Sequence, residues 1–244
     1  MTAQVGGTAV LLVGAMLVRL ALTGAYLKYV RAGMGPFLLV AGVLLVCLGL
    51  VAVVRGLRGS GDGAGPQEHD EDADHGEDHH HVGGDRVGWL LIAPVVALLL
   101  VTPPALGSYA VDRSATVTVA GGTAVFDPLP AGSAPREMRL FEVRERGLDR
   151  GGASFAGRTV SLTGFVARER DGEGFRLARY QIACCAADAV SAVVRVVAPA
   201  GGPLPPLESW VTVSGTFRAM GADGVPELVA DRVTPVPMPV DPYE

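Results

Sequence analysis

The chain has 244 residues, 49% of them apolar, with 25 acidic and 20 basic side chains for a net charge of −5, and only three cysteines. That length allows one or two domains, and an aromatic content of 6% with sparse bases excludes a nucleic-acid partner that binds by stacking. The acidity is local, because seven of the acids fall in "EHDEDADHGEDHHH", residues 68–81, which leaves 18 acids against 20 bases elsewhere.

Three apolar blocks occupy the first 107 positions: residues 5–27, 36–54 and 88–107. A bilayer core about 30 Å thick takes roughly 20 helical residues, which each block matches. Blocks two and three lack the polar stripe of a buried soluble helix. The sequence thus predicts three transmembrane helices and a multi-pass cell-membrane protein. The first block has no basic residue before it and exceeds an ordinary signal-peptide core, so it reads as a retained span. Arg19 inside it either snorkels toward Lys28 and Arg31 or meets a polar group of another membrane protein. The first connection carries Lys28 and Arg31, and the second carries Arg55, Arg58 and Arg86. The positive-inside rule then puts the second connection in the cytoplasm and the carboxyl-terminal domain outside.

Residues 56–87 read as a flexible loop rich in Gly, acids and histidine. All five histidines, His69, His75, His79, His80 and His81, lie in it. Imidazole and carboxylate together bind Zn²⁺, Ni²⁺ or Cu²⁺, so the tract reads either as a set of weak exchangeable metal sites or as a solvated spacer.

From residue 108 to 244 the pattern becomes that of a β-rich soluble domain. A hairpin is expected over 115–126 around Gly121 and Gly122, and a short helix over 134–150. Strands are expected at 158–167, 174–185, 191–198, 209–217 and 225–236, with Gly or Pro in every gap but 186–190. Five such strands predict a small OB-like barrel. Gly164 and Gly215, inside strands, read as sites of sharp bending or close backbone approach.

The one unusual chemical feature is "ARYQIACCAADA", residues 178–189. In an unbroken strand, successive side chains face opposite sides. The small residues after Cys185 favour a turn, so the strand is expected to end at or just after Cys184. Cys184 would then pack inward while Cys185 and Asp188 share a pocket. Thiols beside free N–H groups of a turn, with Arg179 on the same side, would have lowered pKa values. Three readings follow: core packing, a soft-ligand site with Cys184, Cys185 and Asp188 as donors to a divalent metal such as Zn²⁺, and a redox switch. The domain contains no histidine, which excludes a Ser-His or Cys-His pair within it. No P-loop and no GxGxxG after a strand occurs. The expectation is therefore a protein that is not an enzyme.

The order of helix pair, linker, helix ending "PPALGS", then "GRTVSLTGFV", "FRLARYQIACCAADA", "WVTVSGTF" and "PVPMPVDPYE" resembles the YcgQ-like family of two-component permease subunits. The most specific part of the match runs from Arg179 through Cys184, Cys185, Ala187, Asp188 and Ala189, with Pro242 and Tyr243 corresponding to the family's Pro-Tyr. The resemblance implies a bacterial membrane-anchored accessory subunit whose partner is a multi-spanning permease. Its soluble domain would capture or gate a ligand. A thiol-based metal or redox sensor at the membrane is the alternative, and an extracytoplasmic thiol enzyme a third reading.

Overall fold

The computed structural model describes residues 2–59, 104–111, 126–130, 132, 134–169, 174–198 and 203–244. Residues 88–103 of the third apolar block, the histidine tract and most of the expected hairpin at 115–126 lie outside the described residues. The chain divides into two compact units, Met1–Tyr26 with Gly33–Pro103, and Leu27–Ala32 with Pro104–Glu244.

The first unit contains helices α1 (Thr2–Thr23) and α2 (Gly35–Gly59). Both are long and apolar enough to cross a membrane by length and composition. The first ends four residues earlier than the apolar block, at Gly24, which takes φ +71. Glycine adopts that left-handed conformation without a Cβ penalty and so closes the helix. The second runs past the predicted loop start at 56, because Arg55 and Arg58 extend its last turns as good helix formers. The two helices meet through glycine. A Cβ on Gly14 would lie 2.7 Å from the Val46 amide nitrogen, and one on Gly49 would lie 2.6 Å from that of Leu11. Backbones approach this closely only where side chains are absent, the packing mode that replaces hydrophobic drive between apolar helices. Phe37, Val40, Leu44 and Leu48 of α2 are exposed, so the outer surface is apolar.

The second unit is a five-stranded barrel, as the alternating segments predicted. After the short helix α3 (Ser108–Val111) come β1 (Arg136–Glu137), α4 (Leu140–Leu148), β2 (Thr159–Ala167) and β3 (Phe175–Gln181). Then follow β4 (Val190–Val197), β5 (Trp210–Met220) and β6 (Pro226–Pro235). The order is β2-β3-β4-β6-β5, and β5 pairs back on β2 to close it. Only the β4–β6 pair is parallel within that ring. Val160, Leu162, Leu177, Val194, Val196, Val211, Val213 and Leu228 fill the interior, and Leu140 and Val143 of α4 join them. These β-branched and aliphatic side chains alternate inward with period two.

Two expectations need correction. Residues 134–150 are not one helix. Arg136 and Glu137 pair in parallel with Val160 and Ser161, and Met138 N–H donates to the Ser161 carbonyl at 3.0 Å, so α4 starts only at Leu140. The strand expected to reach Cys184 or Cys185 stops at Gln181, where β3 still pairs with Val190 of β4. Both strand glycines are sites of close approach. A Cβ on Gly164 would sit 2.7 Å from the Ala178 carbonyl oxygen, and one on Gly215, at a β-bulge, would overlap the Val229 carbonyl oxygen.

A candidate dithiol site

Residues 182–189 connect β3 to β4 and carry both cysteines of the motif. Their shape follows from Asp188. Its Oδ1 accepts the Ala183 N–H at 2.8 Å, and its Oδ2 accepts the N–H groups of Cys184 at 2.8 Å and Cys185 at 3.3 Å. One carboxylate thus satisfies three consecutive amides that a strand would have given to its neighbour. Ala186–Asp188 form a single 3-10 turn, with Cys185 as its extended N-cap.

The parity expected of a strand therefore does not apply to the thiols. Cys184 is exposed and does not pack inward, and Cys185 is half-buried. Their Sγ atoms lie 3.7 Å apart. The two Sγ atoms and an Asp188 carboxylate oxygen all fall within 4.8 Å of one another. The edge of a tetrahedron with Zn–S bonds of 2.3 Å is about 3.8 Å, so the thiols already stand at the spacing of two zinc ligands. The donor set of two thiolates and one carboxylate fits a thiophilic divalent ion with one position open.

The electrostatics run against the expected thiol activation. Hydrogen bonding to the Asp188 carboxylate, and next to Cys185, pushes the Cys184 thiol up to about 11. The same thiol, with the Cys184 and Ala183 amides, holds Asp188 down at about 2. A proton shared toward a carboxylate is harder to remove than one beside bare N–H groups. Metal entry must therefore displace a tightly held proton from Cys184.

The cysteine turn is also paired to Leu27–Ala32, which belongs to this unit although it lies between α1 and α2 in the sequence. Val30 and Cys185 form an antiparallel bridge. Arg31 N–H donates to the Cys184 carbonyl at 3.1 Å, and Ala186 N–H donates to the Tyr29 carbonyl at 2.7 Å. No sequence periodicity marks this pairing.

Arg179, expected near the thiols, is engaged elsewhere. Its guanidinium donates to the carbonyls of Asp241 and Tyr243 at 3.2 Å and of Pro242 at 3.4 Å, and lies 5.7 Å from the Trp210 ring centroid. Tyr243 pairs with Tyr180, and its hydroxyl donates to the Lys28 carbonyl at 2.6 Å. The Glu244 carboxylate accepts the Leu140 and Phe141 N–H groups at 2.9 and 3.2 Å, capping α4 from outside the helix. Burial raises its pKa against those hydrogen bonds. The "DPYE" sequence is thus a clasp, and Arg179 is its anchor.

A cavity of about 650 Å³ adjoins the turn, lined by Asp188, Gln181, Arg31, Arg139 and Tyr243 among others. Neither thiol lines it. Arg19 lies on α1 at a separate cavity of about 540 Å³, near Cys47 of α2. The five histidines lie outside the described residues.

No curated protein matches the chain. Among solved structures, a DUF3299 family protein from Pseudomonas aeruginosa PAO1 is similar at 18% identity, over 43% of this chain and 98% of that one, with a TM-score of 0.28. The DUF1980 N-terminal domain matches residues 7–116 and the DUF1980 C-terminal domain matches residues 147–244, so the chain belongs to the DUF1980 family.

Proposed function

We propose that the chain is a membrane-anchored accessory subunit of a multi-spanning permease, and that its barrel captures a thiophilic divalent ion such as Zn²⁺ at Cys184, Cys185 and Asp188. The observation that carries this reading is the convergence of the three donors within 4.8 Å on one exposed turn. The ring order β2-β3-β4-β6-β5, with its single parallel pair, supports an OB-like barrel, an architecture that binds ligands on its face and loops. The permease partner rests on the YcgQ-like resemblance, with Arg19 as the candidate contact. The protein acts by binding and not by catalysis.

A third span is part of the same proposal. If α1 and α2 cross the bilayer, the Leu27–Ala32 connection emerges on one side and Gly59 on the other. The connection belongs to the barrel unit. Block 88–107 is apolar enough for a third crossing. With the positive-inside rule, the barrel lies outside the cytoplasm. Reporters inserted after Lys28 and fused after Glu244 should both be active only outside the cytoplasm. Opposite responses at the two positions would sink the three-span topology.

The binding test uses the detergent-solubilised full chain in metal-buffered Zn²⁺. About one tightly held equivalent is expected, lost in both Cys184→Ser and Cys185→Ser, while weak binding by the histidine tract survives. Wild-type protein without a cysteine-dependent equivalent would remove the capture reading. Purification from native membranes without a multi-spanning partner would remove the subunit reading. The Val30–Cys185 bridge favours one alternative, a thiol sensor in which occupancy of the turn is read by the Leu27–Ala32 segment. Such a sensor would bind the ion equally well but copurify without a permease.

A further inference from the structure

Of the three donors on the turn, Asp188 is the least available. Both its oxygens are committed to the loop itself, accepting the amides of Ala183, Cys184 and Cys185. Drawing that carboxylate onto an ion loosens the hydrogen bonds that shape the turn. The sulfurs are more accessible: Cys184 is exposed, Cys185 is half-buried, and they stand 3.7 Å apart. That spacing discriminates between partners. A direct disulfide needs the sulfurs at about 2.05 Å. Two thiolate bonds of roughly 2.3 Å put them about 4.6 Å apart on a linear ion, but about 3.5 Å apart at the roughly 100° angle of a pyramidal three-ligand centre. The pair therefore suits one bridging atom with bent coordination.

We propose that Cys184 and Cys185 also capture trivalent arsenicals of the type R–As(OH)2, where R is an organic group or a third hydroxyl. This deepens the capture reading by naming a second ligand class, and it rests on the same dithiol but on no divalent ion. Thiolates are soft donors, and trivalent arsenic takes three ligands in a pyramid. Two sulfurs and R complete it, so Asp188 keeps its amides. In each exchange one S–H and one As–O bond break, an As–S bond forms, and the thiol proton leaves with the hydroxide as water. Two exchanges release two waters. Arsenic stays trivalent, and no oxidant or reductant is consumed. A neutral solute is thus bound with no proton lost to solvent, whereas a divalent cation must expel the protons of the same thiols. Because both sulfurs sit on one turn, the second exchange is intramolecular, and the chelate holds where a single thiol would let go. Cys47, alone in its sequence neighbourhood on α2, is the monothiol comparison.

The test treats the reduced full chain in detergent with phenylarsine oxide or arsenite, washes it with excess glutathione, and weighs it intact by mass spectrometry. One adduct is expected, at the mass of R–As(OH)2 less two waters, retained against glutathione and removed by 2,3-dimercaptopropanol. Cys184→Ser and Cys185→Ser should each weaken retention in glutathione about 100-fold, through loss of the intramolecular second bond. Cys47→Ala should change nothing. Retention of both probes marks the As(OH)2 group as what is recognised, and retention of one alone narrows R to that source. A wild type with no glutathione-resistant adduct, or an adduct equally resistant in either serine variant, overturns the proposal. Zn²⁺ titration of the same preparations separates the two readings. A cysteine-dependent Zn²⁺ equivalent without an arsenical adduct leaves divalent-ion capture standing and sinks this inference, and an adduct without that equivalent does the reverse.

Discussion

Cys184 is expected to resist alkylation until the solution is strongly alkaline, and Asp188→Asn to release it. The thiol stands at about 11 against an ordinary 9.0, because its proton is held by the Asp188 carboxylate and then by Cys185. Near pH 8 a shift of that size lowers the thiolate fraction about 100-fold, while the more basic thiolate is intrinsically the better nucleophile, leaving a net slowing of about tenfold. Removing the carboxylate charge should restore most of that factor. The signs of the pH dependence follow for both partners. The Cys184 pKa is raised on folding, so its contribution is complete below about 9 and is lost as pH rises toward 11. The Asp188 pKa is lowered to about 2 from 3.8, so its contribution is complete above the ordinary value and is lost as pH falls through 2. Iodoacetamide rates for Cys184, followed by peptide mass spectrometry from pH 7 to 11, measure this in the wild type and in Asp188→Asn. An ordinary thiol profile in the wild type, or identical profiles in both, would rule out the hydrogen bond as described.

Gly215→Val should destabilise the barrel by about 3 kcal/mol, at the upper end of the cost of overpacking a closed core. A Cβ here overlaps the Val229 carbonyl oxygen and stands 2.9 Å from the Ala230 Cα, so the obstruction is backbone that belongs to the next strand. The register between β5 and β6 shifts at Ser214 and Gly215, and the bulge leaves no slack to absorb a branched side chain. For a domain of this size the loss corresponds to a fall in Tm of roughly 15 °C. Gly164→Ala, whose Cβ would meet the Ala178 carbonyl oxygen at 2.7 Å, should act in the same direction with a smaller shift. Thermal resistance of the barrel to proteolysis in the full chain gives the readout. A Gly215→Val barrel as resistant as the wild type would show that β6 can move away, contrary to the packing seen.

The five barrel strands were legible because their period-two alternation and, outside the β3–β4 connection, their Gly or Pro boundaries are local properties of 159–167 and the segments that follow. The apolar lengths of α1 and α2 were legible for the same reason, and so was the close approach at Gly164 and Gly215. The dithiol turn was legible in composition but not in shape. Asp188 gathers three amides from residues 183–185, and that closure ends β3 early and turns Cys184 outward. The contacts that only the tertiary structure decided join residues far apart in sequence. Arg179 grips the carbonyls of residues 241–243, Glu244 caps a helix that begins at Leu140, and Val30 pairs with Cys185. A guanidinium beside cysteines reads as an activating charge when only neighbours are known. Closing the barrel brings backbone carbonyls from the other end of the chain within 3.2 to 3.4 Å of it, and hydrogen bonding to them sets its role.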